Sequence, residues 1–294
     1  MDFSYLTFLY HPIHTLVFIA LIFAFISLWI YKKPWLWGSF LAVSFIFAFI
    51  CNLCDYKIFL VLIPLCIAHL VLTTEITGRE RIIVIVIVVL LSMLLNFHFA
   101  PGFYNWKLGT NIQISRNAPS ISFFFNFDKP FIGFFPLALA IPLISTRMHM
   151  RSMLFQTLLF SVISIVVLLT CSLFLHIIDF DLKFPYIFFA WLIKNLFFVT
   201  IPEEGFFRGF LQREICKYIP TKWSGPIGIV VTSLLFMVCE ICFVQDFFFL
   251  MLTFIASLFY GAVYHITKSI ESSIVCHYLV NVIHFFCFTY PVIG

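Results

Sequence analysis

Charge is what this sequence has least of: Asp, Glu, Lys and Arg make up only 10% of its 294 residues, against 63% apolar. A soluble fold of that composition would show water an apolar surface, so water is excluded as the main solvent of most of the chain. The stretch Met1–His14 contains no Lys or Arg, and the apolar run after it passes the usual small-residue cleavage pattern. The first segment therefore reads as an anchor and not as a cleavable signal. The nine cysteines are odd in number, which argues against a disulfide framework. Cys51-x-x-Cys54 and Cys239-x-x-Cys242 lack the second pair that a zinc site needs, and there is no HExxH, so the thiols read as packing groups. There is no tandem repeat, heptad pattern or basic arm. The net charge of +4 calls for no nucleic acid, because anionic lipid headgroups satisfy it.

What the chain does have is apolar length. About 20 mostly apolar residues cross a bilayer as a helix. Stretches of that kind fall at 14–31, 34–54, 56–74, 82–100, 131–146, 153–178, 185–201, 224–244, 247–267 and 271–290. The expected fold is all-α, a polytopic transmembrane helix bundle of about ten spans, eight at the fewest. Alternate connections carry Lys32, Lys33, Arg79, Arg81, Arg147, Arg151, Arg213, Lys217, Lys222 and Lys268, whereas the intervening ones hold Lys57, Lys107, Arg116, Lys129 and Lys183. That asymmetry predicts ten crossings with both termini outside. The interval Pro101–Lys129, rich in Asn, Ser and Gly, is the only connection long enough to fold or dock outside the membrane.

The carboxy-terminal third differs in the polar residues that lie in or at the edge of its apolar runs: Lys194, Glu203, Glu204, Arg208, Glu240, His265, His277 and Asn281. Ionisable groups are costly in hydrocarbon, so these are expected to face one another or a wet cavity. Glu204 and Arg208 stand four apart with the acid first, the favourable order for an ion pair on one helix face. Glu203 points about 100° away. Its own neighbours at that spacing are Phe206 and Phe207, an apolar setting that suits a general base. His277 and Asn281 share a face at the same spacing, as do Phe236 and Glu240. An Asn amide can stabilise a developing oxyanion, and an imidazole can orient water. The bland reading beside this one makes Glu203–Arg208 a helix end at the interface with Arg208 snorkelling, and His277 and Asn281 interhelical hydrogen-bonding groups. Lys194 reads as a snorkelling or ion-paired lysine, and His265 and His284 as groups at span ends.

Glu203-Glu204-x-x-x-Arg208, then Phe236-x-x-x-Glu240, then His277-x-x-x-Asn281, with Tyr260-Gly261 and Thr267-Lys268-Ser269 on the approach, resemble the motifs of the CAAX protease and bacteriocin-processing family of intramembrane proteases. The resemblance covers about residues 185–290. It implies a glutamate-dependent intramembrane endopeptidase: Glu203 activates water, Glu204 pairs with Arg208, and His277 and Asn281 bind the water and the oxyanion. One position departs, since the family's second motif ends in histidine and this chain has Glu240. Three readings of Glu240 stay open: a proton shared with Glu203, a divalent metal held by the carboxylates and His277, or a degenerate enzyme kept for binding.

The expected organisation is 1–130 as amino-terminal spans with the long loop, 131–184 as connecting spans, and 185–290 as the catalytic part. The expected activity is cleavage of a peptide bond in a membrane-associated protein or peptide, in the cell membrane of a prokaryote, with lipids as partners. No cofactor is required, and a divalent metal is the less favoured alternative. The rival readings are a non-catalytic binding or bacteriocin-immunity protein on the same scaffold, and a proton-coupled transporter. The transporter lacks support from any pairing of broken helices in two matching halves.

Overall fold

The computed structural model describes residues 11–116, 118–143, 147–219, 221–244 and 246–291. The chain divides into two units, one of Met1–Gly109, Ser122–Leu143 and Phe197–Pro202, the other of Thr110–Ile121, Ile144–Leu196 and Glu203–Gly294.

In the first unit, α1 (Pro12–Ile30) and α2 (Pro34–Ile50) both begin on proline, whose fixed φ and missing N–H suit a first helical turn. They pack together, and the Ser44 hydroxyl donates to the Val17 carbonyl at 2.8 Å. A single 3₁₀ turn (Tyr56–Ile58), capped by Asp55, leads into α3 (Phe59–Leu72), and α4 is Gly78–Asn96. The 131–146 stretch does not form a span. Its helix α5 is Phe131–Leu139 only, and Phe131 to Ala138 are all buried. Nine residues rise about 14 Å, half of a bilayer core, so this is a buried helix. The tail of the expected span, 144–146, lies outside the described residues, as do residues 1–10 of the expected anchor.

The departure from all-α lies in the Pro101–Lys129 interval, where β1 (Trp106–Ile112) pairs with β2 (Ile121–Phe125). Trp106, Leu108, Phe123 and Phe125 are buried at every second position, which is strand periodicity. Phe18, Trp106, Phe125 and Phe198 form one ring cluster with centroids 5.1–6.2 Å apart.

The second unit holds α6 (Arg147–Phe174) and most of a run of helical segments whose residues 197–202 belong to the first: α7 (Phe188–Lys194), π-helical Asn195–Thr200, α8 (Ile201–Glu204), π-helical Gly205–Gln212 and α9 (Arg213–Tyr218). It ends with α10 (Ser224–Glu240), α11 (Phe247–Thr267, N-capped by Asp246) and α12 (Ile270–Cys287, N-capped by Ser269). A stripe of small polar residues on α6 fixes the rotation of α12. Thr157 donates to Ser272 at 2.8 Å, and Ser164 lies 3.5 Å from Cys276, close contacts that small side chains allow between helices. That face of α12 is thereby occupied, and Ser273 and His277 turn elsewhere.

Among the described residues four helical stretches are long and apolar enough to cross a membrane: Pro12–Ile30, Met153–Phe174, Phe247–Thr267 and Ile270–Cys287. Pro34–Ile50, Tyr56–Leu72 and Ser224–Glu240 are shorter apolar helices. The protein is a mostly helical membrane protein, and the ten expected spans are not reproduced as ten such helices.

Candidate functional site

Glu203 and Glu204 do not end a helix at the interface. They lie in the middle of the helical run that continues to Tyr218, on the single short α segment between two π-helical stretches. The wider i→i+5 winding of such stretches is common where side chains must be re-aimed at a functional site. Glu203, Glu204, Arg208 and Gln212 are all buried, and Arg208 has no exposure at all, which rules out a snorkelling arginine.

Arg208 and Glu204 form the ion pair expected from their spacing, Nη1 donating to Glu204 Oε1 at 2.9 Å. Nη2 of Arg208 donates to Oγ of Ser257 at 2.6 Å and lies 3.2 Å from the Ser257 carbonyl, so α11 holds the other side of the guanidinium. The guanidinium carbon lies 4.8 Å from the Phe236 ring centroid and 5.3 Å from that of Tyr260. Aromatic faces and a carboxylate thus take the place of water around a buried cation.

The structure assigns Glu204 a larger share than its pair with arginine. Ser273 Oγ donates to Oε2 of Glu204, and His277 Nδ1 lies 2.8 Å from Oε1. A carboxylate that already accepts from a guanidinium is an acceptor for the ring as well, so Nδ1 carries the proton. His277 Nε2 then faces Glu203, 4.0 Å from its Oε2. His277 therefore stands between the two glutamates, bonded to Glu204 and separated from Glu203 by more than a hydrogen bond. Tyr260 stacks on the imidazole, with centroids 4.5 Å apart and planes 13° from parallel, and Phe236 meets its edge at 6.1 Å.

Asn281, one turn beyond His277 and half-buried, donates from Nδ2 to Oδ1 of Asn195 at 3.3 Å. Gln212, one turn beyond Arg208, donates to the Gly261 carbonyl at 3.0 Å, where a Cβ would meet Gln212 Oε1 at 2.9 Å. Glu240 is the last residue of α10 and is half-buried. Burial pushes the Tyr290 phenol above its usual range and the Glu240 charge adds to this, while the bond from Trp191 opposes it. Among the described residues no group of three or more His, Cys, Asp and Glu side chains is arranged to hold a metal ion.

Asn195, Ser257 and Ser273, with Tyr260 from the approach to the last motif, join Glu203, Glu204, Arg208, His277 and Asn281. Ser273 was within reach of sequence reading, because Ser273-x-x-x-His277-x-x-x-Asn281 is one stripe at helical spacing. Asn195 and Ser257 carried no such signal, being brought in by the π-helical winding and by the neighbouring helix.

No curated protein and no solved structure matches the chain. The family model described as type II CAAX prenyl endopeptidase Rce1-like does match, over residues 184–283, the stretch that contains Glu203, Glu204, Arg208, Glu240, His277 and Asn281.

Proposed function

We propose that this protein is an intramembrane peptidase of the glutamic type, with residues 185–290 as its catalytic part. The observation that carries the reading is the position of His277, held through Nδ1 at 2.8 Å from Glu204 while Nε2 looks toward Glu203 across 4.0 Å. One water hydrogen-bonded to both Nε2 and Glu203 Oε2 fits that separation. Glu203 takes a proton from the water as its oxygen adds to the peptide carbonyl, and returns that proton to the leaving amine when the C–N bond breaks. Asn281 spends one N–H on Asn195, and the second N–H of the same amide donates to the oxyanion. Glu204, Arg208 and Ser273 position His277 without touching substrate. Glu240 carries no step in this mechanism.

The substrate class follows from the matched family's description and from the membrane setting: a prenylated or otherwise membrane-anchored peptide, met in the cell membrane among lipids. The test is purified protein in phosphatidylcholine–phosphatidylglycerol vesicles with a farnesylated peptide ending in Cys-aliphatic-aliphatic-X, its products identified by mass spectrometry. Cleavage after the lipidated cysteine is expected. Intact farnesylated peptide, beside retained binding, would favour the non-catalytic binding protein. Proton-coupled uptake that survives replacement of Asn281 would favour a transporter.

A further inference from the structure

The connection between α6 and α7 runs extended along the carboxy-terminal end of α12. The Asp181 N–H donates to the Cys287 carbonyl at 2.8 Å, the Lys183 N–H to the Phe286 carbonyl at 3.0 Å, and the Thr289 N–H to the Asp179 carbonyl at 2.9 Å. Phe180 and Phe288 are an antiparallel pair. The Asp179 N–H donates to Thr289 Oγ1 at 2.8 Å, Lys183 Nζ donates to the Phe288 carbonyl, and Nζ lies 3.4 Å from Asp181 Oδ2. The segment is thus stapled to α12 by main chain and by a lysine.

In an extended strand the N–H and C=O of one residue point to one edge and those of the next residue to the other. Residues 179, 181 and 183 use the inner edge, so the N–H and C=O of Phe180 and Leu182 point outward. Among the described residues no hydrogen bond meets these four groups. The Phe180 and Leu182 side chains are 70% and 61% exposed. An open strand edge of this kind is a template for another main chain. Its location is specific: Phe286 is five residues, about 7.5 Å of helix rise, from Asn281 on the same helix.

We propose that the outer edge of Phe180–Leu182 is a docking site for the substrate's main chain, which adds to it as an extended β-strand beside the catalytic groups. This rests on the peptidase reading for the identity of the occupant. Its chemical logic is that a carbonyl within a helix is bonded and shielded, so a peptide bond must be held extended before water can add to it. Main-chain hydrogen bonds supply that hold without selecting a sequence, and Phe180 and Leu182 present an apolar surface to alternate side chains.

The test measures binding, so that turnover does not enter. The farnesylated peptide is titrated into Glu203→Gln protein in the same vesicles, together with a series of analogues in which one amide N–H at a time is replaced by an ester oxygen. Loss of a main-chain bond is expected to weaken binding about 10-fold at one position or at two positions spaced by two residues. Adding Leu182→Pro, which deletes an outward N–H that the fold does not use, weakens binding of the all-amide peptide by a similar factor. Leu182→Ala, which keeps the N–H, weakens it by less than about threefold. Equal effects of the Pro and Ala variants, no position sensitive to ester replacement, or no binding at all would overturn the docking site. If Leu182→Pro fails to fold, the ester series decides alone. Cleavage by wild-type protein without ester sensitivity sinks the docking site and spares the peptidase. Ester-sensitive binding without cleavage does the reverse.

Discussion

At the scale of single residues, Glu204 organises the site, because one carboxylate accepts from Arg208, Ser273 and His277. Removing one partner of a buried ion pair leaves an uncompensated charge, so Arg208→Ala should cost about 3–5 kcal/mol, read as a lower melting temperature in detergent. Ser273→Ala removes one charge-assisted bond to Glu204 and should cost about 1–3 kcal/mol, with activity falling because the carboxylate that holds His277 is itself less firmly fixed. A Ser273→Ala protein with unchanged stability and turnover would show that Glu204 does not need the hydroxyl. The Glu204–Arg208 pair was legible from i,i+4 spacing alone. The bond between His277 and Glu204 was not, since it depends on how two helices far apart in sequence are rotated against each other.

At the scale of elements, the second π-helical stretch and the helices beside it carry the geometry. Gly205–Gln212 packs on α10, α11 and α12, so its Arg208 meets Phe236 and Ser257, while Glu204 just before the stretch meets His277. No composition rule foretells a π-helical turn, which is why the site could be named but not drawn. The short helix α5 shows a different limit. An apolar stretch long enough to span turned out to be nine helical residues, because apolar character marks burial in protein as readily as in lipid. Gly133 on α5 lies so close to Pro202 that a Cβ would sit 2.4 Å from its Cα and its carbonyl oxygen. These are backbone atoms with no rotamer to yield, so Gly133→Ala should destabilise the protein by about 1–3 kcal/mol through overpacking. Thermal unfolding measures this directly, and a melting temperature equal to wild type would contradict the close approach. The β1–β2 pair was legible in part. Trp106-x-Leu108 and Ile121-x-Phe123-x-Phe125 alternate as strands do, but the Asn, Ser and Gly around them masked the period.

At the scale of the whole molecule, low charge and apolar length settle the membrane setting, and the placement of ionisable residues in the last third singles out the region that the family model matches. The number of crossings is less legible from composition, because the window that finds a span cannot tell a lipid-facing helix from one buried in protein. The central claim is that Glu203 activates the water. It is tested most directly by the rate of peptide cleavage in vesicles for Glu203→Gln, an isosteric change that leaves the Glu204 network intact. The account predicts a loss of roughly 100- to 10,000-fold with an unchanged melting temperature, and turnover near the wild-type rate in that variant would contradict it.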